Sequence, residues 1–285
     1  MPAMSKQHRL NGHKMNPPKP HPAIFLQDVR VRYSPGGPAV LDIEQLTVNQ
    51  GERVALIGPS GSGKTTLLRL INGYVQPEAG QIVILGQTSG PHPARRLLRR
   101  RVGFVFQDFN LVERATVFEN VLWGRLGRVN SLLSLVGWFS TADKQAAMQA
   151  ILEVNLGPQA NQRADTLSGG QQQRVAVARV LAQEAEIILA DEPVSNLDPA
   201  LADDILGLLV EVSQRHGATL LMSVHQPALA QRYAERIIGL RQGQEVYDSV
   251  ASALSRPALQ AIYGREVSFE LATPALNWDG MEVKV

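Results

Sequence analysis

Apolar and polar residues alternate along residues 24–33 and again along 40–48, the period-two pattern of strands with one buried face. Between them Ser34-Pro35-Gly36-Gly37-Pro38 reads as a turn. Gln50-Gly51-Glu52 turns into Val54-Ala55-Leu56-Ile57, a short apolar run of the kind that forms a strand buried on both faces. Leu67-Leu68-Arg69-Leu70-Ile71 predicts a helix, residues 81–85 a strand and residues 102–106 a further buried strand ending at Gln107. From about residue 108 to 183 the period becomes helical, with helices expected over 116–126, 143–154 and 170–182. Strands and helices then alternate: strand 187–190, helix 199–215, strand 219–224, helix 227–234. Residues 236–241 and 245–247 read as a hairpin, and short helices over 254–263 close the pattern. Such alternation is that of an α/β domain.

The glycines and charges fall at particular joints of this pattern. Gly58-Pro59-Ser60-Gly61-Ser62-Gly63-Lys64-Thr65-Thr66 lies between the buried run and the helix, and fits the phosphate-binding P-loop. Its glycines let successive backbone N–H groups turn inward around phosphate oxygens, and the helix N-terminus adds partial positive charge. Lys64 is placed to reach the β- and γ-phosphates, and the Thr65 hydroxyl to sit on Mg²⁺. A second element, Ile187-Ile188-Leu189-Ala190-Asp191-Glu192, is an apolar strand ending in two carboxylates, as in a Walker B element. Asp191 would hold Mg²⁺ through water, and Glu192 would polarise the attacking water as general base. Upstream, Leu167-Ser168-Gly169-Gly170-Gln171 is another glycine-rich turn at a predicted helix start.

Together these motifs identify residues 24–264 as resembling the ATP-binding-cassette ATPases. The resemblance implies an α/β P-loop NTPase cassette with a RecA-like core, an antiparallel β-subdomain and a helical subdomain near 108–183. It implies a cassette domain over 23–265, flanked by a disordered extension over 1–22 and a tail over 266–285. It implies ATP and Mg²⁺ as ligands, and a second copy packed head to tail around two ATP molecules. Ser168, Gly169, Gly170 and Gln171 would then meet the γ-phosphate bound on that other copy. Matched position by position, Tyr33 is the aromatic ring that stacks on adenine. Gln107 is the Q-loop residue that contacts Mg²⁺ or the lytic water. Asp198, in Ser195-Asn196-Leu197-Asp198, lines the dimer seam, and His225 is the switch histidine at the γ-phosphate.

Two further segments narrow the family. Phe106-Gln107-Asp108-Phe109-Asn110-Leu111 with Glu119-Asn120-Val121, and Gly124-Arg125-Leu126-Gly127-Arg128 with the apolar insert through Trp138-Phe139, are similar to the ATP-binding subunits of phosphonate importers. That resemblance implies two membrane-spanning permease subunits as partners, a periplasmic or lipid-anchored binding protein reached through them, and a place on the cytoplasmic face of the inner membrane. Importers of phosphite or hypophosphite, importers of another small solute such as a polar amino acid, and soluble carbon–phosphorus cleavage assemblies use similar cassettes.

Composition excludes little but agrees. The 285 residues are 44% hydrophobic and 19% charged, with formal net charge +2, and the sequence pI is near 9.0. That balance is too mild to argue for nucleic acid as a partner. Arg95-Arg96-Leu97-Leu98-Arg99-Arg100-Arg101 reads as a solvated helix face. There is no cysteine, so no thiol chemistry. No apolar run reaches the roughly 18 residues of a membrane span, and residues 1–22 lack the apolar centre of a secretory signal. About 60 residues follow His225, but the recognisable cassette closes by Gly264, so no room is expected for the added regulatory domains of some importer cassettes, which need at least ~50 residues.

Overall fold

A computed structural model describes residues 22–264 apart from 35, 89–97, 130–137 and 196. The alternating segments pair as expected. Strand β1 (Pro22–Val31) runs antiparallel to β2 (Leu41–Asn49), with Leu26 opposite Leu46, Val29 opposite Ile43 and Val31 opposite Leu41. On the other side of β1 lies β4 (Ala79–Ile84), again antiparallel. A two-residue strand, β5 (Gln87–Thr88), extends the edge. Two polar residues carry no period, so the sequence pattern gives no sign of it. The apolar set of this sheet is buried, whereas the polar set faces water and includes an exposed Arg30–Asp42 ion pair.

The short apolar runs build a second sheet. At its centre is β3 (Arg53–Ile57), flanked on one side by β8 (Thr219–Ser223), β7 (Ile187–Asp191) and β6 (Val102–Val105), all parallel. On its other side β9 (Arg236–Arg241) is also parallel, and β10 (Gln244–Val250) closes that edge antiparallel to β9. The strand order is β10-β9-β3-β8-β7-β6. Strict side-chain alternation divides each strand between two cores. Val54, Leu56, Ile187, Leu189, Leu221, Ile238 and Leu240 join the core shared with the antiparallel sheet. Ala55, Ile57, Ile188, Ala190, Leu220, Met222 and Ile237 join the core under the helices of the opposite face. Fully burying one such Leu or Ile contributes about 1.5–3 kcal/mol.

Helix α1 (Lys64–Ile71) fills the space between the sheets with Leu67, Leu68, Leu70 and Ile71. The segment between β6 and β7 carries α2 (Val117–Leu122), α3 (Thr141–Glu153) and α4 (Gly169–Ala182). Each begins with the same reciprocal cap: Thr116 with Glu119, Ser140 with Asp143, Ser168 with Gln171. The helix expected over 116–126 is shorter than its periodicity suggests. It turns into a 3₁₀ segment, Trp123–Gly127, where a Cβ on Gly124 would lie 2.3 Å from the Arg179 carbonyl oxygen. Arg125 there turns inward to pair with Asp143 at 3.0 Å. Downstream follow α5 (Pro199–Arg215), α6 (Pro227–Tyr233) and α7 (Arg256–Tyr263).

The expected extension over 1–22, except its last residue, and the tail over 266–285 lie outside the described residues, as do Pro35, Arg95, Arg96, Leu97, Leu132, Leu133, Leu135, Val136 and Asn196. Of the insert's closing pair, Trp138 is exposed and Phe139 is buried.

Four parallel strands deliver the motif residues to one edge. At their carboxyl ends β3 runs into the P-loop, β7 ends at Asp191, β8 leads to His225 and β6 to Gln107. That edge is where open α/β sheets receive ligands.

Candidate functional site

The phosphate loop is held from both sides by backbone. Gly58 has φ 149°, and a Cβ there would stand 2.1 Å from the Leu240 carbonyl oxygen of β9. Gly63, at φ 105°, caps α1, and a Cβ there would meet Leu41 of β2 at 2.7 Å. The turn between β9 and β10 locks the loop further: the Gly243 N–H donates to the Ser62 carbonyl at 3.0 Å, and the Asp42 N–H to the Gly243 carbonyl at 2.9 Å. No side chain caps the start of α1, so its first N–H groups stay available to an anion.

The loop encloses a cavity of about 230 Å³, lined by residues 60–66 together with Val40, Glu192 and His225. Lys64 is 4% exposed, and its ammonium donates to the carbonyls of Gly58 at 2.9 Å and Pro59 at 3.2 Å. Burial pushes its pKa below the usual lysine range, against the pull of the Glu192 and Asp191 carboxylates. A charge so desolvated is one that phosphate oxygens can satisfy better than carbonyls do.

The end of β7 meets the end of β8 through one hydroxyl. Ser223 Oγ donates to Asp191 Oδ1 at 2.9 Å and accepts the Glu192 backbone N–H at 2.8 Å. Asp191 Oδ1 also accepts from Thr65 Oγ1 at 3.0 Å, which ties β7 to the first turn of α1. Glu192 has φ 49°, a left-handed backbone that costs about 1–3 kcal/mol for a residue with a Cβ. The Ser223 contact stabilises that conformation, and the result aims the carboxylate at His225, whose Nε2 lies 2.6 Å from Glu192 Oε1. A carboxylate only accepts, so the imidazole proton of this pair sits on Nε2.

Thr65 Oγ1 and Asp191 Oδ1 form a hard oxygen donor set beside the cavity. One hydroxyl and one carboxylate suit Mg²⁺, which keeps most of its waters and takes phosphate oxygens for the rest. Among the described residues there is no group of three or more His, Cys, Asp or Glu that would hold a metal without a phosphate ligand.

Of the sequence-derived candidates, the cavity thus gathers Ser60 to Thr66, Glu192 and His225, with Gly58, Pro59 and Asp191 directly behind. Tyr33 stands beside it, 61% exposed, its hydroxyl 3.0 Å from Thr66 Oγ1. Gln107 is exposed beyond β6 and is not part of the lining. Ser168, Gly169, Gly170 and Gln171 are likewise absent from the lining of this chain's own cavity. Ser168 caps α4, and Gly170 lies flat against Leu201, whose Cδ1 would be 2.5 Å from a Cβ there. Asp198 caps α5, accepting the Leu201 N–H at 3.0 Å. Sequence reasoning missed Ser223 and Val40. A serine ending an otherwise apolar strand was the signal for Ser223; Val40, at a turn, offered none.

Known proteins are similar to this chain in sequence and fold. Residues 41–195, more than half of the chain, match the family model described as ABC transporter. The chain is 47% identical over 238 residues to the phosphonates import ATP-binding protein PhnC of Caulobacter vibrioides, covering 81% of this chain and 90% of that protein. To the protein of the same name from Thiobacillus denitrificans it is 45% identical over 244 residues, covering 86% and 93%. Among solved structures, the dimeric cassette MJ0796 in a post-hydrolysis state bound to ADP and Pi is 32% identical, with TM-score 0.69 over 81% of this chain and 100% of that one. The cbiO1 cassette of Clostridium perfringens, part of the cbiONQ transporter complex, is 25% identical, with TM-score 0.72 over 81% and 89%.

Proposed function

The chain belongs to the ABC transporter family, and from that membership we propose that it is the ATP-hydrolysing subunit of an importer of phosphonates or closely related reduced-phosphorus oxyanions. The observation that carries the hydrolytic reading is the 2.6 Å contact between Glu192 and His225 at the rim of the phosphate-loop cavity. The cargo class is supported by the relatives from Caulobacter vibrioides and Thiobacillus denitrificans, which are phosphonate import subunits.

The residues divide the work. ATP enters with its phosphates on the free N–H groups of the loop and α1, and the Lys64 ammonium moves from the Gly58 and Pro59 carbonyls to the β- and γ-phosphates. Tyr33 offers an exposed ring for the adenine to stack on. Thr65 and Asp191 would hold Mg²⁺, with Gln107 as a third oxygen donor, and the ion would supply positive charge against the phosphates. Glu192 takes the proton of the attacking water, and His225 holds the Glu192 carboxylate in place at the γ-phosphate. Ser168, the Gly169 and Gly170 amides and Gln171, which do not line their own cavity, cover the γ-phosphate of a second copy, and Asp198 sits at that seam. Closing and reopening of this dimer drives two permease subunits at the cytoplasmic face of the membrane, with cargo delivered by a binding protein. No helix among the described residues is long and apolar enough to cross a membrane, and the pathway itself belongs to those partners.

The test is ATPase activity in proteoliposomes holding the chain, its permease subunits and its binding protein. Stimulation by methylphosphonate or phosphite, and not by phosphate or a polar amino acid, is expected. Stimulation by an amino acid alone would move the cargo class, and normal hydrolysis in a soluble complex that binds no permease would replace the importer by a soluble machine.

A further inference from the structure

Arg179 stands near the end of α4, and no carboxylate among the described residues lies within ion-pair distance of its guanidinium. Its two terminal nitrogens donate instead to backbone: Nη1 to the Asn110 carbonyl at 2.6 Å and Nη2 to the Phe109 carbonyl at 3.1 Å. Phe109 and Asn110 have φ 57° and 47°, two consecutive residues with a Cβ in the left-handed region. Such a pair persists only where its surroundings hold it, and here both carbonyls turn toward one planar, forked donor. Burial disfavours the guanidinium charge, so the cation is retained at a cost that simple surface solvation would not incur.

The corner also approaches the other end of the same helix. A Cβ on Gly169 would lie 3.9 Å from the Phe109 ring, so Phe109 spans from the start of α4 to Arg179. Behind Arg179, the close approach of Gly124 to its carbonyl leaves the helix backbone no room to shift locally. Gln107 is two residues before this corner and is exposed, its side chain without a hydrogen-bond partner among the described residues.

We propose that Arg179 is a positioning residue for Gln107: by clamping the Phe109 and Asn110 carbonyls it makes the loop that carries Gln107 move as one body with the signature helix. The reach of Gln107 toward the phosphate cavity is then set by the tilt of α4 and not by free motion of the loop. The proposal rests on the reading of Gln107 as an oxygen donor to the metal.

The test compares the full-length chain carrying Arg179→Met, Arg179→Lys, Gln107→Ala and the Gln107→Ala/Arg179→Met pair. At saturating Mg·ATP, kcat of Arg179→Met is expected to fall at least tenfold, with nucleotide Kd within twofold of the parent. Lysine, which can reach one carbonyl, should recover part of the loss. The double variant should be no slower than Gln107→Ala alone, because both changes remove the same act. Multiplied losses in the double variant, or a parent-like kcat in Arg179→Met, would overturn the proposal. A parent-like Gln107→Ala would instead overturn the reading of Gln107. If Arg179→Met fails to fold, hydrogen exchange on Arg179→Lys decides: faster exchange confined to the amides of 108–111 supports the clamp, and faster exchange spread equally over α4 overturns it.

Discussion

His225 Nε2 and Glu192 Oε1 lie 2.6 Å apart although their residues belong to different strand ends, and the contact exists because Glu192 adopts φ 49°. An extended backbone at Glu192 would continue the line of β7. The left-handed turn instead swings the carboxylate across β8's end, toward the cavity that the phosphate loop encloses. The hydroxyl of Ser223 holds that turn. Glu192, His225 and Asp191 are therefore joined in one connected unit through Ser223.

Replacing Glu192 by Gln keeps the shape and removes the carboxylate proposed as base. We expect nucleotide affinity to be retained and ATP turnover to fall about 10²–10⁴-fold. An ATP-loaded dimer should then accumulate on size-exclusion chromatography. Turnover at the parent rate would exclude Glu192 as the base.

Ser223→Ala deletes the bridge between Asp191 and the Glu192 amide. The amide is left without its acceptor, a loss of about 1–3 kcal/mol in urea unfolding. Turnover should fall more than ATP affinity, since the phosphate loop is untouched. An unchanged kcat would show that Glu192 keeps its place without the hydroxyl.

Two glycines of one loop should respond differently to the same methyl group. Gly58→Ala meets the Leu240 carbonyl at 2.1 Å and should cost about 3 kcal/mol or more. Gly61, at φ 75°, has nothing within 4 Å, so alanine there carries only the backbone penalty of about 1–2 kcal/mol. Thermal melts of the two variants, read side by side, test this; equal shifts would contradict the packing account.

Glu245, outside the cavity lining, provides a pH signature. Burial first, then Asp248, raises its pKa from 4.5 to about 7, against the pull of Arg236. The folded state holds this proton over a range where the unfolded chain has released it. Stability from this group is therefore complete below 4.5 and declines as pH rises toward 7. Glu245→Gln should flatten that part of the melting-temperature profile. An identical slope in both proteins would remove Glu245 as its source.

Much of this site is readable in residue order. The phosphate loop, the strand ending in Asp191-Glu192 and the strand before His225 are local patterns. Each is specified by neighbours within a few positions: glycines where the backbone must turn, β-branched and aliphatic runs where both strand faces are buried. The caps Thr116, Ser140 and Ser168 are local in the same sense. Val40 and the Arg179 clamp are not readable, and the serine ending β8 marks Ser223 without naming its partners, because each acts across long sequence distances. Arg179 reaches residues 69 and 70 positions away, and a serine or arginine in a helix or strand end carries no mark of such a partner. The pattern over 116–126 misleads for the same reason: its period is helical, but the approach of Gly124 to α4 tightens it into a 3₁₀ turn.

Chain order alone, then, specified most of the elements and the motifs at their ends, since period, capping and glycine placement are decided by short-range sterics and hydrogen bonding. Which of those ends meet was decided by the order of the parallel strands, β3-β8-β7-β6, which brings Lys64, Asp191, Glu192 and His225 to one edge. The same packing keeps Ser168 to Gln171 out of that cavity's lining. Such adjacency depends on long-range burial of two apolar cores, a property of the closed tertiary structure that no local run of residues encodes.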